Sequence, residues 1–113
     1  MTTQHDEPRP LHVLELGILL VLMESDAHAY RIVTELERRQ PEQRIYAANL
    51  YRRLSDMVSS GLLDEAPVPA DADPRRRRYY RVTALGRRVA REEALRLQRL
   101  VEGARQVGLL ESS

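Results

Sequence analysis

The sequence predicts a mainly α-helical fold with a small β-hairpin. Four stretches repeat apolar residues at the three- and four-residue spacing of amphipathic helices. Between the third and fourth of them, the segment RYYRVT alternates between two faces in the manner of a strand. With 113 residues and 42% hydrophobic content, the chain suits a single compact domain.

The first predicted helix is apolar around most of its circumference. Its apolar residues follow the helical spacing through residues 11–22, and three more cover another side: Leu16, Leu19 and Leu20. A helix of this kind is buried on most of its surface, and so small a domain suggests that a partner subunit shares the covering. The polar residues 1–10 predict a flexible N-terminal arm.

The second predicted helix has an apolar face made of Ala29, Ile32, Val33 and Leu36. Ser25 or Asp26 is expected to cap its start, because either side chain can accept hydrogen bonds from the first free N–H groups. Pro41 is expected to stop it.

The third predicted helix follows after a short connector, as in a helix-turn-helix unit. Its inner face carries Ala47, Leu50, Leu54, Met57 and Val58, and its outer face carries Asn49, Arg52, Arg53 and Asp56. Gly61 stands where a left-handed residue closes a helix. Tyr51 can pack inside or reach outward from this pattern.

A two-stranded hairpin with a basic tip follows the third helix. LLDEAPV and RYYRVT are its strands, and Tyr80 and Val82 share one face of the second. The tip carries Arg75, Arg76, Arg77 and Arg78. A hairpin placed after a helix-turn-helix unit makes a winged helix. Taken alone, a run of like charge also fits an ordinary solvated loop.

The last predicted helix begins at Thr83, a residue suited to capping. A two-position heptad stripe runs along it, which is typical of helices that pack in coiled-coil fashion: Ala90, Ala94, Leu97, Val101, Ala104 and Gly108. The predicted organisation is therefore an arm (1–10), a winged-helix domain (11–83) and a dimerisation helix with its tail (84–113).

Composition narrows the function classes. The formal net charge is +1, but residues 46–88 carry nine arginines against five acidic residues, a local charge of +4. The chain has no cysteine and its three histidines are not spaced as metal ligands, so no metal site or cofactor is predicted. No nucleophilic side chain is paired with a general base in the sequence, so no catalytic activity is predicted. The most apolar stretch, residues 16–23, is far shorter than the ~20 residues that span a bilayer.

Three motifs follow one another along the predicted elements: AYRI (29–32), LYRRLSDMVSSGLL (50–63) and RRYYRVTALG (77–86). In this order they resemble the PadR family of bacterial transcriptional regulators. The family's GY-x-I stands here as AYRI, with Ala29 in place of glycine. LYRRLSDMVSSGLL is similar to its LYP-x-L motif, with Arg52 in place of proline. The third motif, R-x-YY-x-L/V-T-x-x-G, is matched throughout by Arg77, Tyr79, Tyr80, Val82, Thr83 and Gly86.

The resemblance implies a cytoplasmic homodimer that binds double-stranded operator DNA, usually as a repressor. The third helix would enter the major groove and the arginine run would meet phosphates. The DNA contacts expected on this basis are Tyr30, Tyr46, Asn49, Tyr51, Arg52, Arg53, Arg75, Arg76, Arg77 and Arg78. The first and last helices would form the dimer, and two-fold symmetry would favour a palindromic operator.

Two alternatives stay open from the sequence. The near-neutral total charge and the replaced proline leave room for a protein-interaction module without DNA binding. A small-molecule effector of unidentified chemistry is also compatible with the resemblance. The missing Trp and Phe argue against an aromatic pocket for it, and the alanine-rich stripe favours close packing over a cavity.

Overall fold

A computed structural model describes residues 11–42 and 44–111 of the chain; the predicted arm, residues 1–10, lies outside the described residues. Apart from one added strand, β1, the elements follow the predicted order: α1 (Val13–Glu24), β1 (Ala27–His28), α2 (Ala29–Arg39), α3 (Ala47–Ser59), β2 (Leu63–Ala66), β3 (Tyr79–Val82) and α4 (Ala84–Gln106). The mainly helical fold with four helices and a basic hairpin is confirmed. No helix in the described part is both long and apolar enough to cross a bilayer.

The sheet has three strands instead of the predicted two. Its order is β1-β3-β2, with both pairings antiparallel and β3 in the centre. The added strand consists of Ala27 and His28, which pair with Tyr80 and Tyr79. Two residues are too few to show an alternating pattern, so β1 could not be predicted from the sequence. Because β1 leads directly into α2, it ties the start of that helix to the hairpin.

The cap of α2 differs from the prediction for the same reason. Neither Ser25 nor Asp26 caps it; Ser25 closes α1 instead, and β1 moves the start of α2 to Ala29. The cap is His28, whose Nδ1 accepts a hydrogen bond from the backbone N–H of Arg31 at 3.1 Å. The imidazole therefore supplies the acceptor that the first turn of the helix needs.

The core is centred on α1. Its Ile18 and Leu19 are fully buried and belong to one apolar cluster with Ile32 of α2 and with Leu50 and Leu54 of α3. The sheet adds Tyr80 and Val82, which lie on the same buried face as predicted. One face of α3 thus packs on the core, and its opposite face is exposed to solvent.

The residues predicted for dimerisation differ in how much of each side chain is exposed. Leu16, Leu19 and Ala90 are buried within the chain's own core, so they have little or no surface left for a partner. Leu20, Ala94 and Val101 are exposed, and Leu97 and Ala104 are half-buried. Gly108 lies beyond α4, which ends at Gln106, so the helical stripe does not extend to it.

The end of α3 follows its sequence signal. Gly61 has a φ of 85°, the left-handed conformation that glycine adopts without strain, and it follows the C-cap Ser60. At the other end, Tyr46 is the N-cap but its side chain makes no capping hydrogen bond. The side chain of Tyr46 remains exposed.

Candidate nucleic-acid interface

The segment between β2 and β3, together with these two strands, forms the wing. Its arginine run, residues 75–78, lies beside the start of α2 and the outer side of α3. Between them is an open groove of about 350 Å³, called here the wing groove, lined by His28, Ala29, Tyr30, Tyr51, Arg75, Arg76, Arg77, Arg78 and Tyr80. Six of the ten predicted DNA contacts are therefore brought together in one place.

Arg76 is fixed in the wing groove by an aromatic ring. Its guanidinium carbon lies 4.6 Å from the centroid of the Tyr30 ring, within the range of a cation–π interaction. Arg76 is half-buried, whereas Arg75, Arg77 and Arg78 are exposed. The wing is thereby joined to α2 by a side-chain contact as well as by the sheet.

The other wing arginines have polar partners within the hairpin. Arg75 donates from its side chain and its backbone N–H to the carboxylate of Asp73, at 3.2 and 2.9 Å, and these bonds hold the pKa of Asp73 below its ordinary value. Arg77 donates to the carbonyl oxygen of Pro74 at 3.1 Å. Arg78 lies 3.6 Å from Glu65, with both side chains exposed. The run is thus held in a defined arrangement.

His28 is the residue of the wing groove that the predicted contacts omit. Its ring meets Tyr79 edge-on at 5.2 Å and lies roughly parallel to Tyr30 at 6.4 Å. Burial lowers its pKa, and the positive charges of Arg76 and Arg31 lower it further. The one sequence signal for it was its position near the start of the second helix; the structure shows that His28 is the cap of that helix, in place of the expected Ser25 or Asp26.

The outer face of α3 presents a second set of predicted contacts. Tyr51 is 57% exposed, so it points outward and is not part of the core. On the far side of the helix, Asn49, Arg52 and Arg53 line a second groove of about 470 Å³ with His12, Leu14 and Asp56. Arg52 donates to the Oδ1 of Asn49 at 3.3 Å. Tyr46, at the start of α3, is not among the lining residues of either groove.

Arg53 has a partner in α1. Its guanidinium lies 3.6 Å from the carboxylate of Glu15, which is 5% exposed, while Arg53 itself is 31% exposed. Glu15 also accepts a hydrogen bond from the backbone N–H of His12, so it caps α1 as well. Arg53 consequently links α3 to the beginning of α1, and only part of it faces solvent.

This surface is suited to binding phosphate groups and the edges of nucleic-acid bases. Guanidinium groups form forked hydrogen bonds with phosphate oxygens, and exposed asparagine and arginine side chains can read base edges. Within the described residues, no group of three or more His, Asp or Glu side chains could hold a metal ion.

Comparison with known proteins identifies the family of this chain. Residues 18–92 match the model of the transcriptional regulator PadR-like family, a span that runs from α1 through the wing into α4. The chain belongs to the PadR-like family. The fold and family of this PadR-like protein are those of transcriptional regulators and not of enzymes.

Solved PadR-like structures share the fold. The chain is 21% identical to a PadR-like regulator of Bacillus cereus, with a TM-score of 0.74 over 89% of this chain and 94% of that one. It is 20% identical to a Clostridium difficile PadR family regulator, with a TM-score of 0.72 over 85% of this chain and 98% of that one. It is 25% identical to a PadR-like transcription factor of Bacteroides fragilis, with a TM-score of 0.69 over 84% of this chain and 89% of that one. No curated protein sequence matches this PadR-like protein.

Proposed function

We propose that the protein is a sequence-specific double-stranded DNA-binding repressor that acts in the cytoplasm as a homodimer on a palindromic operator. The observation that carries this proposal is the wing groove, in which the arginine run faces Tyr30 of α2 and Tyr51 of α3. Such a surface can follow a phosphate backbone while the exposed face of α3 occupies the major groove.

The base-reading residues in this proposal are Asn49 and Arg52. Both are exposed on α3 and already bonded to each other, so each side chain is oriented before DNA arrives. Asparagine pairs with adenine and arginine with guanine in the major groove. Tyr46 lies at the N-cap of the same helix and Tyr51 on its side towards the wing groove, and Arg53 contributes positive charge near the DNA backbone.

The dimer in this proposal forms through α1 and α4, with residues 11–83 binding DNA and 84–113 joining the subunits. The exposed apolar side chains on these two helices and the tail support it: Val13, Leu20, Leu95, Leu100, Val101, Leu109 and Leu110. We place the subunit contact among these side chains, because exposed large apolar side chains are favoured at association surfaces. Two copies related by a two-fold axis would present two α3 helices to successive major grooves.

A small-molecule effector is compatible with the same dimer. The apolar cavity between α1 and α2 has a volume of about 100 Å³, below the ~300 Å³ at which ligand pockets usually begin. Val13 and Leu20 line it and also lie on the proposed dimer face. A site for an effector would therefore be completed by the second subunit.

The test is selection of bound fragments from the source genome, followed by titration of the recovered duplex at several salt concentrations. We expect binding that weakens steeply with salt, since each phosphate contact contributes about −0.9 to the slope of log K against log salt. Arg75→Ala with Arg77→Ala should reduce that slope, whereas Arg99→Ala, on an exposed side of α4 outside both grooves, should not. Failure to bind any duplex, with retained capture of a protein partner, would favour the interaction-module alternative.

A further inference from the structure

Four side chains from the sheet, the start of α2 and the wing form a continuous series of ring and cation–π contacts beside the wing groove, called here the stack. The Tyr79 ring of β3 meets His28 edge-on at 5.2 Å, and His28 lies at 6.4 Å from Tyr30 with 24° between the ring planes. Arg76 of the wing then lies 4.6 Å from the centroid of the Tyr30 ring. The stack Tyr79–His28–Tyr30–Arg76 therefore runs from the sheet, through the cap of α2, to the basic run.

We propose that Tyr30 is a positioning residue for Arg76: its ring holds the wing against α2 in the orientation that binds DNA, and its hydroxyl makes no essential contact. This inference rests on the proposed function and changes the role expected for Tyr30 from DNA contact to support. A wing that is ordered before binding loses less conformational freedom when DNA arrives.

The surroundings of Arg76 favour this role. Arg75 is engaged by Asp73, Arg77 by the carbonyl of Pro74 and Arg78 by Glu65, all partners within the hairpin itself. Arg76 lies over a ring of α2, so its contact with Tyr30 fixes the hairpin relative to the helix-turn-helix unit. A guanidinium over a ring keeps its edge N–H groups available, so it can stack and still donate to a phosphate.

The first arm of the test needs no DNA. Trypsin cleaves after arginine, so the rate of cleavage within residues 75–78 reports how firmly the wing is held. We expect Tyr30→Leu to speed this cleavage about three-fold, the equilibrium factor of an exposed cation–π contact. Tyr30→Phe, which keeps the ring, should match the wild-type protein. Tyr51→Leu removes a groove-lining ring outside the stack and should leave the rate unchanged.

The second arm measures affinity for the selected duplex. Tyr30→Leu should weaken it about three-fold per wing, hence about ten-fold for a dimer with two wings. Tyr30→Phe should retain wild-type affinity, and Tyr30→Leu should have little further effect in an Arg76→Ala background, because the two residues act as one unit. Unchanged wing cleavage in Tyr30→Leu, or equal weakening by Tyr30→Phe and Tyr30→Leu, overturns the proposal. If the wild-type protein binds no duplex, the proposed function fails while the cleavage arm still decides whether Tyr30 positions Arg76.

Discussion

The hydroxyl of Thr83 donates a hydrogen bond to the carbonyl oxygen of Gly61 at 2.6 Å. The same Oγ1 accepts from the backbone N–H of Gly86 at 2.9 Å, so Thr83 caps α4 as the sequence predicts. One side chain therefore joins the residue that ends α3 to the first turn of α4. Since α3 presents the proposed base-reading face and α4 the proposed dimer face, this contact helps to set the angle between them.

Replacing Thr83 by valine should destabilise the protein. Valine keeps the shape but removes the hydroxyl, which donates to the carbonyl oxygens of Gly61 and Leu62 and accepts from the N–H of Gly86. The loss of the cap and of the donor to these carbonyl oxygens should cost about 1–3 kcal/mol. Thr83→Ser keeps the hydroxyl and should retain most of the stability. Urea denaturation followed by circular dichroism measures both variants. A loss of stability in Thr83→Ser with none in Thr83→Val would show that the methyl group matters and the hydroxyl does not.

Gly86 and Gly103 should respond in opposite ways to alanine. Both lie in α4, where alanine is intrinsically favoured by up to about 1 kcal/mol. A Cβ on Gly86 would collide with the backbone carbonyl of Leu62 and come within 2.8 Å of the Val82 side chain, whereas a Cβ on Gly103 would meet nothing within 4 Å. We expect Gly86→Ala to lower the free energy of unfolding by about 1–3 kcal/mol and Gly103→Ala to raise it slightly. Thermal denaturation of the pair compares them directly, and a stabilised Gly86→Ala would contradict the close packing of α4 on the wing.

The parts of the fold that the sequence predicted are those that local chemistry determines. Gly61 closes α3 because only glycine takes its backbone angle without strain. The alternation of Tyr80 and Val82 identified β3 because burial on one face has a period of two residues. Thr83 could be assigned as a cap from its position alone, before its second partner was known.

The parts that sequence reasoning missed depend on contacts between distant segments. β1 is a strand only because Ala27 finds a partner in β3. His28 becomes the cap because that pairing shifts the start of α2. The pairing of Arg53 with Glu15 and the stacking of Arg76 on Tyr30 likewise join elements whose approach no periodicity reveals.

Removing the acid that engages Arg75 should strengthen DNA binding. Asp73 accepts two side-chain hydrogen bonds from Arg75, so a phosphate must compete with this carboxylate. Asp73→Asn removes the charge but keeps an oxygen for the backbone N–H of Arg75, which preserves the turn. We expect a two- to five-fold gain in affinity at moderate salt, about the worth of one exposed ion pair. Fluorescence anisotropy with the selected duplex measures it.

The control for that prediction is Asp71→Asn. It removes the same charge from the same loop but lies outside the ion pair with Arg75. Any gain in DNA affinity in Asp71→Asn then measures the effect of the change in net charge. The additional gain in affinity in Asp73→Asn measures the effect of releasing Arg75. Equal gains in both variants would mean that the ion pair does not compete with DNA.

A single charge on the exposed side of α4 should separate the proposed dimer. Val101 is 39% exposed, so the chain tolerates a polar side chain there without opening its own core. A two-fold interface contains each substitution twice, and Val101→Glu should weaken self-association at least ten-fold. Gln106→Glu adds the same charge on another side of α4 and should leave the dimer intact. Sedimentation equilibrium gives the association state, and a dimeric Val101→Glu would place the interface elsewhere.

Acid should destabilise the protein through His28. Its Nδ1 must be unprotonated to cap α2, and burial with the nearby charges of Arg76 and Arg31 outweighs the opposing charge of Asp73, so its pKa lies below the ordinary value of about 6.5. The unfolded chain binds this proton more readily than the folded one. The contribution is therefore fully present above about pH 6.5 and is lost as the pH falls through that value towards the folded pKa.

His28→Asn isolates this effect, because asparagine is a good N-cap that does not titrate. The free energy of unfolding of the wild-type protein should fall more steeply than that of His28→Asn as the pH drops from about 7 to about 5.5, and the two curves should run parallel above about pH 7. Urea titrations at each pH give the difference, in which the carboxylates common to both proteins cancel. Parallel curves over the whole range would show that His28 takes up its proton equally in the folded and unfolded states, which the capping hydrogen bond to Arg31 does not allow.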